Sequence, residues 1–530
     1  MTQLIKTSFL LLIAVTMMNC KPNTGNNVYF GSELNDDFAL NEISIDSAQS
    51  LLESGKYSSR EMVQLYLDRF AAIDQGGPAL NSILEINPEA MQVADSLDRE
   101  RAEGLIRGPL HGIPILIKDN INTVGPMMTT AGSLALEGNV AESDAFVIAQ
   151  LRKAGAIILG KTNLSEWANF RSTNSSSGWS SRGGQTRNAY RLNRTPCGSS
   201  SGSGVAVSAN LCMAAIGTET DGSIMCPSGI NGIVGIKPTV GLISRHGIIP
   251  ISKTQDTAGP MARTVSDAAL LLGAMTGVDS LDAATLESKG RAYTDYSQFL
   301  NVKGLEGKRI GIDKATLKIR GSIDTVFAQA LNTLREQGAI IVELDFLKDI
   351  YALGDAEYEV LLYEFKDGLN HYLSTANAKV KSLEELIRFN RDKKEMMMPY
   401  FQQEILELAQ TKGGLEEAAY LDALKKSTSA RSYIDQLMTT NQLDAFCGPT
   451  NAPAWTIDLV NGDHFVWGFS TAAAITGFPA ITVPGGMAFE LPIGITFFSN
   501  AYTEPTLISM AYAFEQATKH RVAPQFLTDL

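Results

Sequence analysis

Histidine and cysteine are scarce in this chain, five of each in 530 residues. His111, His246, His371, His464 and His520 share no short spacing with one another or with the cysteines, so no metal-ligand pattern arises. No metal and no organic cofactor is expected. Basic charge is short as well: 44 Lys and Arg stand against 57 Asp and Glu, a net charge of −13, and nothing basic is clustered. That excludes the electrostatic footprint of a nucleic-acid binder or of a protein drawn to anionic lipid. Internal repeats are absent. Cys197, Cys212, Cys226 and Cys447 follow no disulfide-framework spacing, and the expectation is four free, small, buried residues, although export would permit disulfides.

Long apolar runs are missing except near the start. In Met1–Asn19, Lys6 precedes the run Phe9–Val15, which is too short to span a bilayer and reads as a secretory signal. Cys20 stands where a lipoprotein signal places its lipidated cysteine. The preceding Met17, Met18 and Asn19 depart from the usual leucine and small-residue pattern, so a plain cleaved signal with an incidental Cys20 is the alternative. Residues 20–36 are polar and read as a tether. The expectation is an exported protein, periplasmic or anchored by lipid at Cys20, with no other membrane contact.

What remains, 37–530, has ordinary globular composition, 44% hydrophobic and 19% charged for the whole chain. Ser58 to Glu61 is a capping box opening a helix with Met62, Leu65, Tyr66, Phe70 and Ile73 on one face. Short apolar strands follow at Ser82–Ile86, Ile115–Ile117 and Ala156–Leu159, separated by helices that start near Asn87 and Ser143. Arg309–Ile312, Ile323–Gln337 and Ala339–Val342 read as one β–α–β unit. From about 357 to 440 the chain is amphipathic, charged and without strand signal, a helical insertion placed to wall a cleft. Strands resume at Leu443–Phe446, Ala480–Val483 and Ile493–Phe497, and a last helix covers Glu504–Thr518. Continuous apolar strands alternating with helices imply an α/β fold: one large domain with a mixed central sheet covered on both faces.

The chemistry gathers between Pro196 and Thr239. Glycines and serines form two tight clusters, Gly198–Gly204 and Gly217–Ser223, each followed by an apolar segment. Glycine lets backbone N–H groups approach a ligand, and serine supplies a hydroxyl that can be activated. Two tempting strings fail on context. Gly155, Gly160, Lys161 and Thr162 fit the P-loop spacing, but the residues between the glycines are a buried strand rather than a loop. Gly198, Ser200 and Gly202 fit a nucleophile elbow with Ser200 as nucleophile, but a loop-like segment precedes them and no histidine sits in a supporting motif. A serine here needs another proton acceptor, and Lys118, ending an apolar strand beside Asp119, is the candidate with context. Burial lowers a lysine pKa by about three units.

These stretches resemble the amidase signature family. The resemblance is carried by Gly112–Asp119, by the two serine loops Gly198–Ser203 and Gly222–Ile224, by Gly235–Thr239, by Asp256–Val265 and by Gly477–Ile481, in order across most of the chain. It implies hydrolysis of a carboxamide without a cofactor, with a Ser–Ser–Lys catalytic set. Aligned on the family's loops, Ser223 is the nucleophile, Ser199 the bridging serine in a cis peptide, and Lys118 the base. Backbone N–H groups of Thr220, Asp221, Gly222 and Ser223 are implied for the oxyanion. Cys197 and Ser201 replace family glycines, Glu219 replaces an aspartate, and Asp221 replaces a glycine. The run Thr218–Pro227 with Arg182–Asn188 is similar to the peptide amidase branch, which implies a small-molecule or peptide amide as substrate. A cytoplasmic amidotransferase-type glutaminase and an inactive ligand-binding lipoprotein are the alternatives. Asp221, beside the developing oxyanion, is expected to point away from it. It either accepts hydrogen bonds from backbone N–H groups of the Ser199–Gly204 loop or accepts one from a substrate N–H; Ser200 is expected to hold the loop or touch substrate.

Overall fold

The computed structural model describes residues 37–528. The expected signal, the expected tether and the proposed lipidation at Cys20 fall on residues outside those described. Among those described, no helix is long and apolar enough to cross a membrane.

Eleven strands form one sheet. In chain order they are β1 (Ile83–Ile86), β2 (Pro114–Lys118), β3 (Ile157–Thr162), β4 (Ala214–Glu219), β5 (Val234–Lys237) and β6 (Thr257–Ala262). Then come β7 (Arg309–Asp313), β8 (Ile340–Leu344), β9 (Ala445–Pro449), β10 (Ala480–Ala488) and β11 (Leu491–Phe498). The spatial order is β1-β3-β2-β4-β6-β5-β10-β11-β9-β7-β8. It is mixed: β3, β2 and β4 run parallel, as do β9, β7 and β8, and the strands between them are antiparallel. The central strands β2, β4, β5 and β6 are buried at every residue and are apolar or small-residue runs up to the polar residues at their ends, Lys118, Glu219, Lys237 and Thr257.

Local signals place the elements. Ser58 caps the helix Ser59–Arg69, with Glu61 closing the reciprocal bond. The string resembling a P-loop is the end of a helix and the strand β3, with Lys161 buried in it. Arg309–Asp313, Gly321–Glu336 and Ile340–Leu344 form the expected β–α–β unit, its strands parallel. The segment after β8 folds as the helices Gly354–Thr375, Leu383–Asp392, Glu404–Gln410 and Ala418–Asn441. They carry a core of their own, Leu362, Phe365, Leu369, Leu386 and Leu406, which packs on Trp167, Phe170 and Ile249. Trp167 and Phe170 lie on the turn after β3, so this core sits over the carboxyl ends of the parallel strands, where open α/β sheets bind ligands.

Candidate active site

Lys118 is the last residue of β2, and Thr218 and Glu219 end the neighbouring β4. The serine loop enters between them and continues into the helix Ser201–Ser208. Only glycine fits at position 202, where a Cβ would lie 2.2 Å from the Ser82 carbonyl oxygen and 2.5 Å from that of Asn163. That close approach presses Ser199 and Ser200 down onto the strand ends. The peptide bond between Gly198 and Ser199 is cis.

The Lys118 side chain has no exposure to solvent. Its Nζ lies 2.8 Å from Ser199 Oγ, 2.8 Å from Thr218 Oγ1, 3.0 Å from Ser200 Oγ and 3.2 Å from the Thr218 carbonyl oxygen. Asn120 Nδ2 donates to the same Thr218 Oγ1 at 3.0 Å. Burial brings the Lys118 pKa down to about 7, against the smaller upward pull of the Asp256 and Glu219 carboxylates. A large neutral fraction at neutral pH gives this amine a lone pair to accept a proton. Asp119, its neighbour in sequence, turns away and accepts from Thr130 Oγ1 and the Gly132 N–H.

The hydroxyls around Lys118 are not equivalent. Ser200 Oγ donates to the Thr218 carbonyl at 3.0 Å and accepts from the Thr218 N–H at 3.2 Å and from Lys118. Its proton is committed to that carbonyl, and it bridges loop and strand. The Ser200 backbone N–H donates to the Ser223 carbonyl at 3.1 Å and sets the two serine loops side by side. Ser223 is 8% exposed and Ser199 fully buried, so of the two it is the one a ligand can reach.

The Ser223 loop presents its backbone. Gly222 takes φ +80°, a left-handed conformation that favours glycine. The N–H groups of Ile224 and Met225 are taken by Glu219 Oε2 at 2.6 and 2.8 Å. Among the described residues, the N–H groups of Asp221, Gly222 and Ser223 have no protein acceptor. Three free donors in a row suit an oxyanion. Thr220 is held from its side chain, which donates to Asp256 Oδ1 at 2.5 Å.

Two expectations need correction. Asp221 does not accept from backbone N–H groups of the Ser199–Gly204 loop. Its two oxygens accept from Ser470 Oγ at 2.5 Å and Thr471 Oγ1 at 2.8 Å, on a helix start more than 240 residues away in the chain. Burial holds its carboxyl above the usual range, and burial, with a smaller push from the Asp221 carboxylate, brings nearby Glu357 up to about 8. Second, the cysteines are not all free. Cys212 and Cys447 are free and buried, but Cys197 and Cys226 form a disulfide across 29 residues. Linear spacing hides that pair because the two loops meet only in the fold.

A cleft of about 560 Å³ opens on the free N–H groups, lined by Gly198, Asp221, Gly222, Cys226, Trp455 and Trp467. A second cavity, about 510 Å³, is lined by Asn120 and Thr218, both of the Lys118 hydrogen-bond network, and by Thr220 and Asp256. Sequence reasoning gave no role to Asn120, Thr218, Asp256 or Glu357. Asp256 and Thr218 fell within motifs carrying the family resemblance, but only the fold aims them at Lys118.

The Amidase family model matches residues 61–508. A peptide amidase structure from Stenotrophomonas maltophilia superposes with a TM-score of 0.88 at 49% identity, covering 92% of this chain and 99% of that one. A probable amidase of Arabidopsis thaliana is 40% identical over 93% of each chain. One subunit of the glutamyl-tRNA(Gln) amidotransferase of Carboxydothermus hydrogenoformans is 32% identical, covering 89% of this chain and 97% of its own. With a buried lysine and serine at one strand end and free amide donors beside them, this chain belongs to the amidase signature family and is an amide-hydrolysing enzyme.

Proposed function

We propose that the enzyme hydrolyses the C-terminal carboxamide of peptides to the acid and ammonia through an acyl-enzyme on Ser223. Ser199 takes the Ser223 proton as it passes its own to neutral Lys118. The path then runs backward to protonate the leaving amine. The free N–H groups of Asp221, Gly222 and Ser223 receive the carbonyl oxygen as it becomes negative, each such donor contributing about 3–4 kcal/mol to the transition state. Water repeats the sequence on the ester. The observation that carries this reading is the 2.8 Å contact between Ser199 Oγ and a fully buried lysine with a pKa of about 7.

Two features support a peptide substrate: the 49% identity to a peptide amidase, and an aromatic cleft with Trp455, Trp467 and Tyr351 next to the Ser223 loop. A peptide amide presents N–H groups beside the scissile carbonyl that a fatty amide lacks. We place the enzyme outside the cytoplasm, lipidated at Cys20, a reading that the Cys197–Cys226 disulfide favours. The test is a panel of peptide C-terminal amides, fatty amides, aryl amides and glutamine on purified mature enzyme. Peptide amides are expected to give the highest kcat/KM, and preference for free glutamine would overturn the substrate assignment. Detergent phase partitioning of the native protein against Cys20→Ser tests the anchor, and equal partitioning into the aqueous phase would refute it.

A further inference from the structure

The Cys197–Cys226 disulfide has no part in the proton path, yet its ends sit on the two loops that the path joins. Cys197 lies two residues before Ser199, and Cys226 lies three after Ser223. Each loop has fastenings of its own, and Asn231 Nδ2 donates to the carbonyls of both Pro196 and Pro227, next to the two cysteines. The Ser199 carbonyl accepts from the Ser165 N–H at 3.1 Å, and Ser201 Oγ donates to the Cys197 carbonyl at 2.6 Å. The other loop hangs on Glu219 through Ile224 and Met225. The backbone joins the two directly through the Ser200 N–H to Ser223 carbonyl bond. The disulfide is the covalent tie across the same seam, in a small apolar cluster with Tyr190, Ile230 and Trp455. Cys226 also lines the cleft, so a small thiol entering the cleft reaches the Cys226 side of this bond first.

We propose that Cys197 and Cys226 are a positioning pair for the reaction at Ser199 and Ser223, and that reduction of their disulfide by a small dithiol lowers turnover. The proposal rests on the triad reading above. Proton transfer between two serines needs their oxygens held within hydrogen-bond reach, and a misplacement of about 1 Å costs up to about 100-fold in rate. In the reduction, a thiolate of the dithiol attacks Cys226 Sγ and the bond to Cys197 Sγ breaks. Cys197 leaves as a thiolate and takes a proton. The second thiol of the reductant then resolves the mixed disulfide, freeing Cys226 as a thiol and leaving the reductant as its own disulfide.

Mature enzyme is compared oxidised and after treatment with dithiothreitol, with reduction confirmed by mass. Turnover is followed on an amide substrate, and a fluorophosphonate probe is reacted and its site of attachment mapped. Reduction is expected to lower kcat by about 10-fold or more with KM changed by less than about twofold, and to slow labelling of Ser223 in proportion. Reoxidation should restore both. Cys197→Ala/Cys226→Ala should behave as the reduced enzyme and ignore the reductant. An unchanged kcat in protein confirmed as reduced overturns the proposal, and so does loss of activity that tracks loss of the circular dichroism of the folded state. Attachment of the probe in oxidised enzyme to a residue other than Ser223 overturns the triad reading instead.

Discussion

The sharpest consequence of the site is a coupling of activity and stability through one proton. Lys118 is fully buried, and its pKa falls from 10.5 to about 7, chiefly through desolvation. Only the neutral amine accepts a proton, so kcat/KM should rise with pH, pass half-maximum near pH 7 and level off above about pH 8. About a tenth of the maximum should remain at pH 6. The same shift acts on folding. The unfolded chain keeps this lysine protonated up to its ordinary pKa, whereas the folded chain gives the proton up near 7. Between those values the unfolded state binds more protons, so the contribution of Lys118 to stability grows as pH rises and is least favourable below 7. From pH 7 to pH 9 the swing is about 2 kcal/mol. Lys118→Met, which keeps the length and drops the charge, should abolish turnover. The difference in unfolding free energy between variant and wild type should move by about 2 kcal/mol toward the wild type over that interval. Groups that do not interact with Lys118 cancel in the comparison, while Asp256 and Glu219, whose carboxylates pull its pKa upward, respond to the loss of its charge. The assays are a pH–rate profile and urea unfolding at several pH values. A flat kcat/KM from pH 5 to 8, or a stability difference that does not change with pH, would refute the reasoning.

Three further outcomes follow from the same contacts. Ser200→Ala removes a hydroxyl that bridges Lys118 to the Thr218 backbone; it should cost about 1–3 kcal/mol in urea unfolding and leave Ser223 reactive, and loss of all fluorophosphonate labelling would make Ser200 the nucleophile. Asp221→Asn turns one of two hydroxyl-accepting oxygens into an NH2 group; stability should fall by about 1–2 kcal/mol and the ratio of peptide to fatty amide rates should drop, whereas an unchanged ratio would confine Asp221 to holding the helix start at Ser470. Cys197→Ala/Cys226→Ala opens a loop of 29 residues and should lower the unfolding free energy by about 3–4 kcal/mol in a chain-entropy account, a loss absent on denaturation if the loop is already constrained when unfolded.

The parts of the fold legible in the sequence are those whose determinants are local. The capping box at Ser58, the helix Glu504–Thr518 and the strand–helix–strand run from Arg309 are each set by residues within one element or its cap. The two glycine–serine clusters were legible for a different reason. Close approach of backbone to backbone, as at Gly202, leaves no room for larger residues and so writes itself into composition. What escaped depends on partners far apart in the chain. Nothing near Asp221 announces Ser470 or Thr471. Glu357 opens the stretch that reads as a charged, amphipathic helical insertion, and only the packing of its helix buries it, so that Gln255 donates to it at 2.8 Å. Cys197 and Cys226 failed the same way: their pairing follows from two serine loops lying side by side, which no spacing rule contains.

A sharper case is why one buried lysine of three reads as a base. Lys161 and Lys237 are as fully buried as Lys118, and burial lowers each to about 8. Desolvation alone therefore does not single out Lys118. The partners do. Lys237 Nζ donates to the carbonyl oxygens of Phe478 at 2.6 Å and Pro238 at 3.3 Å, groups that stabilise an ammonium and have no proton to return. Lys161 Nζ faces the Ile121 carbonyl at 2.6 Å and Thr129 Oγ1 at 3.0 Å, but that hydroxyl donates its own proton to the same carbonyl. Around Lys118 the Ser200 proton is likewise spent, on the Thr218 carbonyl. Among the described residues, Thr218 Oγ1 and Ser199 Oγ, both at 2.8 Å, have no protein acceptor for their protons, and the serine of the two is Ser199. It stands on the loop that the Ser200 N–H and the disulfide hold against Ser223. The proposed base is thus the lysine where burial meets an uncommitted hydroxyl, and of these three sites only the end of β2 supplies both.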